Sequence, residues 1–261
     1  MGQRGEDGGS ARSGTIPYTA LVQQFNEAPP GKLYMLHGSP AVFRLSLSAA
    51  AHVLLQGIPL TLVDGTNRFD LYYLAEFARR FGMRYGGVTP EELLQRIFVS
   101  RAFTCYQMEA LITNRLPAFV QRSGSPIVVI FGLVDTFYDE QAPLFEVRGS
   151  LRRVLVSLDA LKRDGISVLL ASDNCMPATP DRNGLLPMIA AGMDRVFRVT
   201  EAESQVRIEP AQAAGLRPPA VQRKEKGDGK NRSDIHDGHP AGDGKLDKVP
   251  ARIAQGRPGG V

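Results

Sequence analysis

The sequence predicts an α/β fold: a mostly parallel central sheet flanked by helices, with an antiparallel hairpin towards the C-terminal side. Two observations carry this expectation. Short apolar runs bounded by turn residues recur along the chain, and between them apolar residues repeat at helical spacing, the alternation produced by parallel strands joined through crossover helices. The candidate strands are Lys32–Leu36, Leu60–Asp64, Ile97–Ala102, Ile127–Gly132 and Ser167–Ser172. Most are rich in Val, Ile or Leu, as strands buried on both faces must be. A small-residue-rich helix over Phe43–Leu55 follows the first strand. Leu71, Leu74, Phe77, Ala78 and Phe81 form the next helical stripe, Met108, Leu111, Ile112 and Leu116 another, and Leu144, Val147, Leu151, Val154, Leu155 and Leu158 a third. A short apolar helix at Leu185–Ala191 precedes a hairpin of Arg195–Val199 and Gln205–Ile208 at the sheet edge.

A chain of 261 residues, 43% hydrophobic and 22% charged, suits one globular domain with room for tails. Residues 1–15 are polar and Gly-rich, and residues 211–261 are rich in Gly, Pro, Lys and Asp, so both are expected to be disordered and the folded unit to span 16–210. The net charge is +4, and from residue 211 onward ten Lys and Arg stand against six acids, an excess equal to that of the whole chain. No apolar run reaches the roughly 18 residues of a membrane span, and the first fifteen residues hold no apolar signal segment, which points to a cytoplasmic protein. Cys105 and Cys175 belong to no CxxC, and His37, His52, His236 and His239 show no metal-ligand spacing, so neither a metal nor a disulfide is expected.

The strand, the turn Gly38-Ser39-Pro40 and the following helix form the setting of a Walker A phosphate loop, but only Gly38 fits the residue pattern. Phe43 stands where a second Gly lets the backbone approach a phosphate, Arg44 where the Lys belongs, and Leu45 where a hydroxyl holds Mg²⁺, with Ser46 one residue further on. The second strand ends in Val63-Asp64-Gly65-Thr66. The fourth ends in Phe131-Gly132, and its first acid is Asp135.

The stretches VDGTNRFDLYYLAEFARRFG, VSRAFTCYQMEALI, IVVIFGLVDTFYDE and GISVLLASDN, in this order and spacing, resemble the ATPase core of the RecA/RadA recombinase superfamily, closest to its RadA-like branch. The resemblance covers roughly residues 31–208, and Arg101-Ala102-Phe103 to Gln107 is its most distinctive part. It implies a RecA-like P-loop NTPase fold with ATP and Mg²⁺ between the phosphate loop and the strand ends. Carried over position by position, the family's phosphate-binding Lys falls at Arg44, its Mg²⁺-binding hydroxyl at Leu45, its catalytic Glu at Thr66, its Walker B Asp at Gly132 and its polar sensor at Asp173 or Asn174.

Losing one charge-stabilising group from a preorganised site costs on the order of 100-fold to 1,000-fold in rate. Losing four together implies a degenerate, non-hydrolysing accessory or regulatory factor in DNA recombination, repair or damage-induced mutagenesis. Such a factor acts through a recombination, repair or replication protein, or by self-association, without a resident cofactor. Two alternatives stand beside this reading. A divergent DNA-dependent ATPase would use Arg44, Ser46 and Asp135 in shifted roles, with weak ATP binding through the Arg44 guanidinium. A single-stranded DNA binder would use the basic tail, including Arg223, Lys224 and Lys226, together with Arg182 in the loop after the fifth strand. Arg148, Arg152 and Arg153 are further candidates for DNA contact, although basic residues on the polar face of a helix are usually plain solvated surface.

Overall fold

The computed structural model describes residues 17, 21–23, 25, 30–202, 205–212 and 216. Arg223, Lys224 and Lys226, with the rest of residues 217–261 and residues 1–15, lie outside the described residues. The elements run in the order β1 (Leu33–Gly38), α1 (Ala41–Leu55), β2 (Leu60–Asp64), α2 (Leu71–Phe81), a 3₁₀ turn (Gly82–Tyr85), α3 (Pro90–Leu94), β3 (Ile97–Arg101) and α4 (Cys105–Ala110). A π-helical turn (Leu111–Arg115) leads into α5 (Leu116–Ser123), followed by β4 (Ile127–Phe131), α6 (Leu133–Phe137) and α7 (Leu144–Arg163). After β5 (Ser167–Asp173) come a 3₁₀ turn (Pro180–Gly184), α8 (Leu185–Ala191), β6 (Arg195–Ala202) and β7 (Gln205–Ala211).

The strands form a seven-stranded sheet in the order β3-β2-β4-β5-β1-β6-β7. All neighbours are parallel except the β6–β7 hairpin. The expected α/β class, the mostly parallel sheet and the C-terminal antiparallel pair are therefore all present. Every residue of β1, β2 and β4 is buried, in keeping with their continuous apolar runs. The edge strand β3 is half-exposed.

Alternation along the strands divides the core in two. Tyr34, Leu36, Leu60, Leu62, Val129, Phe131, Leu169 and Ala171 pack on one face with α1, α2 and α3. Leu33, Met35, Val63, Val128, Ile130, Val168 and Leu170 pack on the other with the helices α4 to α8. Local signals fix where several helices begin. The Asp70 carboxylate accepts the Tyr73 amide at 2.9 Å, and Thr89 with Glu92 makes a reciprocal capping box at the start of α3. The packed core reaches past the expected boundary at residue 210, since β7 ends at Ala211 and Leu216 is buried against the α4–α8 face. No helix among the described residues is long and apolar enough to cross a membrane.

The topology selects the place for a site. From β1 the chain turns to the α1 face, whereas from its neighbour β5 it turns to the α8 face. Such a divergence opens a crevice beyond the carboxyl ends of the strands.

Candidate functional site

At the carboxyl end of the sheet lies a crevice of about 510 Å³ bordered by Pro40, Thr66, Arg68, Asp135, Asp173, Asn174 and Cys175. The ends of β1, β2, β4 and β5 thus converge, and with them Thr66, Asp135 and Asp173 from the sequence-derived set. Arg44, Leu45 and Ser46 do not border the crevice. The reason lies in α1, which begins at Ala41 rather than at Phe43, so that only Ser39 and Pro40 separate it from β1.

A phosphate cradle needs several backbone N–H groups turned towards one anion. Here the Ser39 amide donates to the Val199 carbonyl at 2.8 Å, the Val42 amide to Ser39 at 3.1 Å and the Phe43 amide to Pro40 at 3.3 Å. Pro40 has no N–H to give. Phe43, already inside the helix, is 4% exposed and meets the Phe131 ring edge-on at 5.3 Å. Arg44 is exposed on the outer side of α1, its guanidinium 5.4 Å from the centre of the Tyr73 ring. Leu45 packs against the core, and the fully buried Ser46 hydroxyl donates to the Val42 carbonyl at 2.8 Å. No residue of this loop is placed to hold a triphosphate or its Mg²⁺, so the groups that ATP requires do not fit here.

Asp64 is likewise occupied. It is fully buried, and its carboxylate accepts the amides of Thr66 at 3.2 Å, Arg68 at 3.1 Å and Phe69 at 3.0 Å, which fixes the loop leading into α2. Gly132 and Thr66 are sterically interlocked. Gly132 has φ +66°, and a side chain at this position would start inside van der Waals contact with the Thr66 methyl group. The position after β4 where the resemblance places an acid therefore has no room for one while Thr66 stands in the loop after β2.

The other side of the crevice is polar. Ser172 on β5 donates to the Asp135 carboxylate at 3.0 Å, and the Cys175 amide donates to Asp173 at 3.0 Å. Burial and the neighbouring Asp173 raise the pKa of Asp135. Burial together with Asp135 and Asp173 pushes the Cys175 thiol up to about 11. Arg68, half-exposed, stands 3.8 Å from the Asp173 carboxylate and lies over the Phe43 ring. Sequence reasoning singled out Asp135 and Asp173 but passed over Cys175, Ser172 and His37, because nothing in their spacing announces that three strand ends bring them together.

The candidate DNA-contacting arginines divide by burial. Arg182 is 3% exposed, and its guanidinium donates to the carbonyls of Phe137, at 3.0 Å, and Ala142, clamping the loop before α7 instead of facing solvent. Arg153 pairs with Glu109, and Arg148 reaches the Asp181 carbonyl at 3.5 Å. Arg152 is exposed on α7. Comparison with protein-family models and with curated proteins finds no match to this sequence.

Proposed function

We propose that this chain is a degenerate RecA/RadA-like protein, a non-hydrolysing accessory factor in DNA recombination, repair or damage-induced mutagenesis that works by binding a protein partner. The observation that carries the loss of hydrolysis is the two-residue connection between β1 and α1, whose one amide, that of Ser39, donates to the Val199 carbonyl. The process rests on the sequence resemblance across residues 31–208. The strand order, in which β5 separates β1 from β4 and one crevice collects their ends, supports the RecA-like reading. Partner binding is supported by Tyr72 and Met83, 84% and 83% exposed around α2, since interfaces draw on aromatic and Met side chains.

Two measurements test this reading. Purified protein with ATP and Mg²⁺ is expected to show no phosphate release and no rise in melting temperature. Either effect, abolished by Arg44→Ala, returns the divergent ATPase to first place. Affinity capture from the native host is expected to retain a recombination, repair or replication protein, with Tyr72→Ala and Met83→Ala weakening the capture. Recovery of no such protein counts against the assignment to DNA metabolism.

A further inference from the structure

We propose that Asp135, Asp173 and Cys175 form a binding site for a divalent transition-metal ion of the zinc class, beside the buried imidazole of His37 on the wall of the adjoining cavity. The ligand atoms of the first three residues all lie within 4.8 Å of one another, close enough to share one ion. They come from α6, the last residue of β5 and the loop after it. Both carboxylates are already oriented by hydrogen bonds, Asp135 by the Ser172 hydroxyl and Asp173 by the Cys175 amide. This is the outer layer that metal ligands require, and each carboxylate oxygen keeps a lone pair free for coordination.

His37 is the independent sign that something belongs in this space. It is 6% exposed, and its Nε2 has no hydrogen-bond partner, an expensive condition for a buried polar atom. In the parallel pairing of β1 with β5 it stands directly beside Ser172, so the two side chains share the face on which Ser172 touches Asp135. It also lines a cavity of about 290 Å³ together with Asp173, Cys175 and Tyr138.

Donor chemistry chooses the ion. Mg²⁺ and Ca²⁺ prefer all-oxygen shells, whereas a cysteine sulfur beside two carboxylates suits the zinc class. The carboxylates of Asp135 and Asp173 repel one another, and a cation removes that repulsion. Arg68 is the present counter-charge, but at 3.8 Å and with 52% of its side chain exposed it can swing away. A bound ion would pin the loop after β5 to α6 while leaving the phosphate loop untouched.

The test uses the full-length protein stripped with a chelator and titrated with Co²⁺ as a spectroscopic probe, then with Zn²⁺ by calorimetry. One ion per chain is expected, with a thiolate-to-cobalt charge-transfer band that disappears in Cys175→Ser. Asp135→Asn and Ser172→Ala are expected to weaken binding about tenfold or more. Arg68→Ala should tighten it. Zn²⁺ should also slow alkylation of Cys175 in the unmutated chain while leaving the buried Cys105 as an internal control. The proposal is overturned by the absence of the charge-transfer band, by an alkylation rate indifferent to Zn²⁺, or by metal binding that survives Cys175→Ser and Asp135→Asn unchanged.

Discussion

At the carboxyl end of the sheet, the side facing α1 and α2 is filled with hydrocarbon and satisfied amides, whereas the side facing α6 and α8 holds carboxylates, a thiol and an unpartnered imidazole. On the first side Phe43 occupies the interior beneath the phosphate-loop position, Thr66 closes the space at Gly132, and Asp64 is saturated by three amides. On the second, the ligand atoms of Asp135, Asp173 and Cys175 lie within 4.8 Å of one another, and the buried His37 Nε2 has no hydrogen-bond partner. The comparison teaches that the two sides of the strand ends are built for different ends: packing fills one, while polar side chains gather on the other.

The strongest way to break this contrast is Phe43→Ala, which should destabilise the protein by about 3–5 kcal/mol if the ring is core, as a buried phenyl normally is. Urea denaturation measures it, and a loss below about 1 kcal/mol would mean that the ring only blocks a vestigial pocket.

Gly132→Asp, the apparent restoration of an acid, should cost about 2–4 kcal/mol from positive-φ strain and overpacking. Adding Thr66→Ala should recover part of that loss, because it removes the methyl group in the way, and a double-mutant cycle reads the coupling. Additive effects would show that the two positions are not interlocked.

Asp64→Asn, which removes the charge and one of the two acceptor oxygens, should cost about 2 kcal/mol, measured in the same way.

The smallest effect sharpens the polar side. His37 sits at about 4 in the folded chain, below its ordinary 6.5, so the unfolded chain takes up this proton first as the pH falls. Stability should therefore decline as pH drops through the window from 6.5 to about 4, and His37→Gln should flatten that decline in urea midpoints recorded with chelator present. A wild-type slope that His37→Gln leaves unchanged would remove the imidazole from the buried set.

Much of the fold was legible before any tertiary contact was known. The runs at Leu60–Asp64 and Ile127–Phe131, and the stripe from Leu71 to Phe81, emerged within a residue of their expected bounds. The start of α1 was less legible. Gly38-Ser39-Pro40 reads as a turn of ordinary length, but Pro40 already has helical φ, and the helix absorbs Ala41 and Val42. This two-residue difference turned Arg44 and Ser46 away from the crevice. The short helix α6 was missed for a related reason, since five residues following a strand are too few to display a period.

Composition and periodicity established an α/β class with a mostly parallel sheet, because burial imposes a repeat on each element that its own residues must obey. The tertiary structure decided the strand order, the interlocking of Thr66 with Gly132, the internal roles of Asp64 and Arg182, and the meeting of Asp135, Asp173 and Cys175. These depend on which strands become neighbours and to which face each crossover turns, and no local spacing in the chain encodes such long-range choices.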